Sequence, residues 1–172
     1  MKKLVLLRHA KATPAETAPD DFERPLNTKG LTAAAAVADY FSATKLQPDL
    51  VLCSAALRTR ATLAALLPAL THDHRVSIEN RLYMASAQRL LDRVRHIEDD
   101  VSCALIVGHN PGLERLARML AGSGSAELIA ALRQKFPTAA LAILEFETAR
   151  WRAVDKDRGR LAQFLCPRDL ED

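Results

Sequence analysis

The sequence predicts a three-layer α/β/α sandwich with a mostly parallel central sheet, and three observations predict it. Short apolar runs recur at residues 3–7, 50–53 and 103–107, stretches with helical apolar spacing lie between them, and turn or capping residues mark the joints. Short apolar runs bounded by turn signals fit strands buried on both faces. Strands alternating with helices make βαβ units, whose right-handed crossovers put helices on both sides of a parallel sheet.

The run at 3–7 stops abruptly at Arg8-His9, which favours a strand over a helix. Residues 14–25 mix Pro, Asp, Glu and Thr without period and read as a long surface loop, a kind often functional in compact domains. Thr28 is placed to cap a helix reaching about residue 44, with Leu31, Ala34, Ala35, Ala38 and Phe41 as its inward stripe. Pro48-Asp49 turns the chain into the strand at 50–53, after which Ser54 offers a cap for a helix over about 56–70. Residues 76–78 form a weak strand, and Ser86 caps a helix that turns Leu90, Leu91, Val94 and Ile97 inward. Beyond 103–107, Asn110 is the cap and Pro111 the first residue of a helix carrying Leu113, Leu116, Ala117 and Leu120, which Gly122 ends. A Gly/Ser turn, a helix over 126–134 and a terminal pair of strands at 140–147 and 151–154 complete a single domain over residues 1–172.

A chain of 172 residues, 49% hydrophobic and 26% charged, can bury a real core without disulfides or metal. A net charge of +3 with scattered arginines excludes a nucleic-acid footprint, which needs a basic stripe with interleaved aromatics. The apolar run between Lys3 and Arg8 is far too short for a signal peptide or membrane span. Cys53, Cys103 and Cys166 are odd in number and widely spaced, which fits free thiols in a reducing cytoplasm.

Polar residues of one kind mark three strand ends: Arg8-His9 after the first, Arg58 beyond the second and His109 after 103–107. In such sheets ligands gather at the carboxyl ends of the strands, so these side chains are expected to meet. Two guanidiniums and two imidazoles on one rim suit a dianion of about phosphate size. They do not suit a divalent metal, which flanking arginines repel, and neither HxxxH nor CxxC spacing occurs; no cofactor is expected. His72 and His74 lie in a polar loop, and His96 falls late in a helix where the dipole favours a cation.

The segments LVLLRHAKA, SAALRTRAT and LIVGHNPGLE, in that order, resemble the signature segments of the histidine phosphatase superfamily, nearest to its small SixA-type phosphohistidine phosphatases. ERPLNTKG, RLYMAS, FPTAALAILEFE and the terminal CPRDL extend the resemblance over almost the whole chain. It implies a phosphoglycerate mutase-like fold, with His9 as the nucleophile that carries the phosphoryl group, and the chain length points to that fold without a large lid subdomain. Arg8, Arg58 and His109 correspond to the phosphate-binding residues around it, the motif selecting Arg58 over the nearby Arg60. Positive neighbours would lower the His9 pKa and favour the neutral, nucleophilic ring, and a carbonyl on its other nitrogen would set the tautomer.

Larger members of that superfamily supply a carboxylic acid to protonate the leaving oxygen, in one form directly after the second histidine, where this chain has Asn110. Glu79, Asp20, Asp21 and Tyr83 remain as candidate acids, none singled out by a motif. The missing acid favours a P–N substrate, because a phosphohistidine imidazole can leave neutral. Little sequence between the recognised elements is left to build a lid, so the pocket is expected to be open and to accept phosphohistidine on a protein, such as a phosphorelay domain. The alternatives are a small phosphate ester or, in another class, a non-catalytic module that binds phosphorylated partners.

Overall fold

Period-two alternation in the central strands divides their side chains between two apolar layers. In the computed structural model, which describes residues 1–170, β1 (Lys2–Arg8) lies mid-sheet. It sends Leu4 and Leu6 to one layer and Val5 and Leu7 to the other. β2 (Leu50–Ser54) and β4 (Cys103–Gly108) divide their residues in the same way. One layer is covered by α1 (Thr28–Thr44) and α2 (Leu57–Leu66). The other is covered by α3 (Ala87–Arg95), α4 (Gly112–Leu120) and α5 (Ala126–Gln134).

With β3 (Arg75–Glu79), β5 (Ala121–Gly124), β6 (Leu141–Phe146) and β7 (Gly159–Leu165), the seven-stranded sheet runs β3-β2-β4-β1-β6-β7-β5. Only β6 opposes its neighbours, pairing antiparallel with β1 and β7; every other pairing is parallel. The three-layer α/β/α sandwich with a mostly parallel sheet is thus the observed architecture, and no large lid interrupts it among the described residues. No helix among them is long and apolar enough to cross a membrane.

Several local expectations change. α1 is capped by Asn27, whose Oδ1 accepts from the Gly30 amide at 2.8 Å, and Thr28 is the first helical residue. Its buried face is Gly30, Ala33, Ala34, Val37 and Phe41, while Leu31 is 55% exposed. The reason is contact: a Cβ on Gly30 would lie 2.0 Å from the Lys11 carbonyl oxygen, so the helix meets the chain after β1 on its glycine side. α2 begins without a side-chain cap, and Ser54 ends β2 instead. Asn110 does not cap α4, since its amide donates to Glu114 Oε2 at 3.0 Å and to the Phe136 carbonyl at 2.8 Å.

The Gly/Ser stretch after α4 is the edge strand β5, and the helix ends before Gly122. Residues 151–154 are not a strand, because Trp151–Ala153 forms a single 3₁₀ turn. The buried Trp151 indole there donates to the Val101 carbonyl at 2.7 Å rather than joining a ladder. The last strand is β7, hidden from period-two reading by a register shift opposite Ile143 and Leu144. That irregularity puts Leu161 and Phe164, three apart, in the same apolar layer.

Candidate active site

β1, β4 and β2 are adjacent and parallel, with Arg8 opposite Gly108 and Cys53 opposite Val107, so their carboxyl ends deliver His9, His109 and Ser54 to one rim. The His9 amide donates to the Gly108 carbonyl at 3.1 Å, extending the ladder one residue past the strand. The Ala139 amide, at φ 59°, donates to the carbonyls of Arg8 and His9 and holds this end of β1. The first turn of α2 supplies Arg58, which is 3% exposed.

His9 is buried, and its Nδ1–H donates to the Ala10 carbonyl at 2.8 Å, leaving Nε2 as the nitrogen with a free lone pair. Arg58 Nε points at that lone pair from 3.3 Å. The Ala10 amide donates to Thr62 Oγ1 at 3.0 Å, and that hydroxyl donates to the Arg58 carbonyl, so one threonine ties the loop after β1 to α2. The His9 and His109 rings lie 5.3 Å apart. Arg8 donates from Nη1 to the Phe136 carbonyl at 2.9 Å and keeps a buried Nε without a partner.

Burial first, then the positive charge of Arg58, Arg8 and Arg24, lowers the His9 pKa to about 4, despite the opposing pull of its Ala10 hydrogen bond. Burial likewise leads at His109, followed by His9 and Arg58, bringing it to about 3. Both rings are neutral at pH 7. The expected direction at His9 holds, but desolvation rather than cationic neighbours is the larger cause.

The four expected residues therefore converge, and the exposed Arg60 stands apart, its Nε on the Ala55 carbonyl. Among the candidate acids the structure separates two pairs. Glu79 is held by Arg81, Arg93 and Ser77, and Asp20 Oδ1 accepts from the Glu23 amide; neither is bonded to the His/Arg cluster. Asp21 and Tyr83 do reach it: the Asp21 carboxylate accepts from Tyr83 Oη at 2.5 Å and Arg58 Nη2 at 2.9 Å on one oxygen, and from Arg24 on the other. Tyr83 and Arg24, with Arg58 behind them, hold Asp21 far below the usual carboxylate range, and the same bond raises the Tyr83 pKa. Tyr83 also meets the His109 ring edge-to-face at 5.3 Å.

Sequence reasoning misses Ser54. Its Oγ sits 2.7 Å from His109 Nε2, and the residue is fully buried. A serine at a strand end before a helix carries the same signal as a cap, so nothing short of the fold separates the two roles. Among the described residues no group of three or more His, Cys, Asp or Glu side chains is arranged to hold a metal ion. An unprotonated imidazole nitrogen faced by guanidinium donors can attack an anionic electrophile while its charge is held by fixed dipoles.

Residues 4–83 match the histidine phosphatase superfamily, branch 1. The uncharacterized protein ML1117 of Mycobacterium leprae is 31% identical over 169 residues, spanning 94% of this chain and 100% of that protein. Two relatives with solved structures bear the name of candidate phosphohistidine phosphatases SixA. The one from Nakamurella multipartitia has TM-score 0.84 at 29% identity, covering 96% of each chain. The one from Agrobacterium tumefaciens has TM-score 0.79 at 33% identity, covering 96% of this chain and 98% of that one. With likeness running nearly end to end and the Arg-His and Gly-His segments meeting on one rim, the chain belongs to the histidine phosphatase superfamily and is SixA-like.

Proposed function

We propose that this chain hydrolyses phosphohistidine on a protein through a covalent phospho-His9 intermediate. The observation that carries the reading is the bonding of His9: Nδ1–H is committed to the Ala10 carbonyl, and the Nε2 lone pair faces Arg58. In the first step Nε2 attacks phosphorus, the bond from phosphorus to the substrate nitrogen breaks, and that nitrogen keeps the electron pair. A water then attacks phospho-His9, loses its proton to solvent, and releases inorganic phosphate and His9. The loose transition state spreads charge over the equatorial oxygens, which the guanidiniums of Arg8 and Arg58 and a neutral N–H of His109 stabilise without a metal.

The protonation states around the pocket support this substrate class. Asp21 is ionised, Tyr83 holds its proton against that carboxylate, and His109 is unprotonated at neutral pH. None of them is poised to protonate an alkoxide, whereas an imidazole already carrying a proton on its far nitrogen leaves neutral. The SixA names of the similar structures support the same substrate class, and a histidine phosphorelay domain would present it. The free thiols Cys53, Cys103 and Cys166 fit a cytoplasmic setting.

The test is a quench after incubation with a labelled phosphodonor. Acid-labile, base-stable label is expected on the wild type and none on His9→Ala; label surviving that substitution refutes the nucleophile. Turnover of a phosphohistidine peptide is then compared with sugar phosphates and nucleotides in excess EDTA. Esters consumed far faster than the peptide would make the chain a small-molecule phosphomonoesterase, and activity restored only by zinc or manganese would reverse the metal-free reading.

A further inference from the structure

We propose that Ser54 is a positioning residue that fixes His109 as the Nδ1–H tautomer, giving the phosphoryl group a single neutral N–H donor at that place. The inference deepens the phosphoryl-transfer reading and rests on it for the identity of the group that accepts the bond. Its warrant is an account of protons in a fully buried pair.

Ser54 Oγ has two bonding neighbours: the Ala56 amide, which donates to it at 3.4 Å, and His109 Nε2 at 2.7 Å. An amide can only donate, so the Ala56 bond uses an oxygen lone pair and leaves the hydroxyl proton still to be placed. The one acceptor within reach is His109 Nε2. If Ser54 donates there, the imidazole proton resides on Nδ1. The only unsatisfied group is then that N–H, and His109 Nδ1 is indeed buried without a partner.

The reverse arrangement is worse on every count. With Nε2–H donating to Oγ, the serine proton has no acceptor in a residue with no exposed surface. A bare Nδ1 lone pair would also stand buried beside His9 and Arg58. Two orphaned groups replace one, and each buried polar group left without a partner gives up its hydration for no bond in return. A lone pair would also repel the phosphoryl oxygens that an N–H attracts. Burial and the neighbouring His9 and Arg58 keep His109 neutral at pH 7, so it has a tautomer to be set.

The arrangement mirrors His9 across the 5.3 Å between the rings. There a backbone carbonyl accepts from Nδ1–H and leaves Nε2 as nucleophile; here a hydroxyl donates to Nε2 and leaves Nδ1–H as donor. Opposite partners assign opposite tasks to two chemically identical side chains.

The experiment is a long-range ¹H–¹⁵N correlation spectrum of the imidazoles at pH 7, which distinguishes the two neutral tautomers by their nitrogen shifts. Wild-type His109 is expected as Nδ1–H, with that proton moving downfield when inorganic phosphate is added. Ser54→Ala is expected to give a tautomer mixture and to lower kcat about tenfold, one hydrogen bond's worth, with KM little changed. A wild-type Nε2–H tautomer overturns the proposal, and so does Ser54→Ala that keeps the Nδ1–H form or the wild-type kcat. If Ser54→Ala does not fold, the wild-type spectrum still decides. The spectrum requires no turnover, so failure of the phosphoenzyme label at His9 and failure of the tautomer are separate results.

Discussion

At His9 desolvation and nearby guanidiniums act in one direction, and the pH dependence of the reaction should show it. With a pKa of about 4, the ring stays unprotonated through the range where a solvated histidine gains its charge. The acid limb of kcat/KM is therefore expected near pH 4, and a limb near 6.5 would mean that His9 titrates like an exposed side chain. At Arg58 three of the five guanidinium donors are bonded in a way that fixes its aim. Nη1 and Nη2 are committed to the Asp21 carbonyl and carboxylate, and Nε is left for the His9 side of the pocket. Arg58→Ala is expected to lower kcat/KM by about 10²–10³, the usual loss for one oriented donor in such a pocket. Arg60→Ala, whose exposed side chain bonds only the Ala55 carbonyl, should stay within about twofold, the small effect expected of an exposed surface side chain. Steady-state kinetics on both variants checks the assignment, and the reverse order of damage would make Arg60 the functional arginine.

Between the elements, two segments meet over the rim through the Tyr83–Asp21 hydrogen bond: the long loop carrying Asp21 and the turn from Tyr83 to Ala85. The second is pressed on the start of α4, where a Cβ on Gly112 would lie 1.9 Å from the Ala85 carbonyl oxygen. Backbone cannot yield as a flexible side chain does, so Gly112→Ala is expected to cost about 1–3 kcal/mol, the range for overpacking, measured by urea unfolding. It should also reduce kcat, because moving Ala85 moves Tyr83 off His109; a variant with wild-type stability would mean that the turn is free to shift. Contacts of this kind also explain what the sequence could and could not disclose. Runs such as 3–7 and 103–107 are legible because burial on both faces leaves no polar residue to interrupt them. The inward face of α1 is only partly legible: Ala34 and Phe41 are buried as the stripe predicts, but Gly30 against Lys11 turns Leu31 outward, and a glycine adds nothing to an apolar stripe. β7 escapes because its irregular register breaks the alternation, and β5 escapes because Ala-Gly-Ser-Gly on an exposed edge has the composition of a turn. Arg8, His9 and His109 are legible as charge abruptly following apolar strands, whereas Ser54 and the Asp21–Tyr83 contact require knowing which strand ends are neighbours.

For the whole molecule, the buried titratable groups set a stability profile with two shoulders. His9 and His109 fall from 6.5 in the unfolded chain to about 4 and about 3 in the fold. Above pH 6.5 neither state is protonated and they contribute no slope. Below it the unfolded chain binds protons that the folded chain refuses, so stability falls on acidification, by up to roughly 1.4 kcal/mol per pH unit for each ring. Glu79 adds the same sign below 4.5: burial pushes its carboxyl up, but Arg93, Arg81 and Ser77 outweigh that and hold it at about 2, so the unfolded state again takes up protons first. On the alkaline side Cys53 and Cys103, raised by burial from 9.0 to about 12, keep their protons while the unfolded thiols lose theirs, so stability falls as pH rises above 9. Urea midpoints are therefore expected to be level between pH 6.5 and 9 and to decline on both sides. Replacing His9 with Ala should flatten the acid limb between 6.5 and 4 by one ring's share while leaving the alkaline limb unchanged. A wild-type acid limb that begins only below pH 4.5 would show that the two imidazoles take up protons in the folded state as readily as in water, and that His9 loses its neutral form already as the pH falls through 6.5.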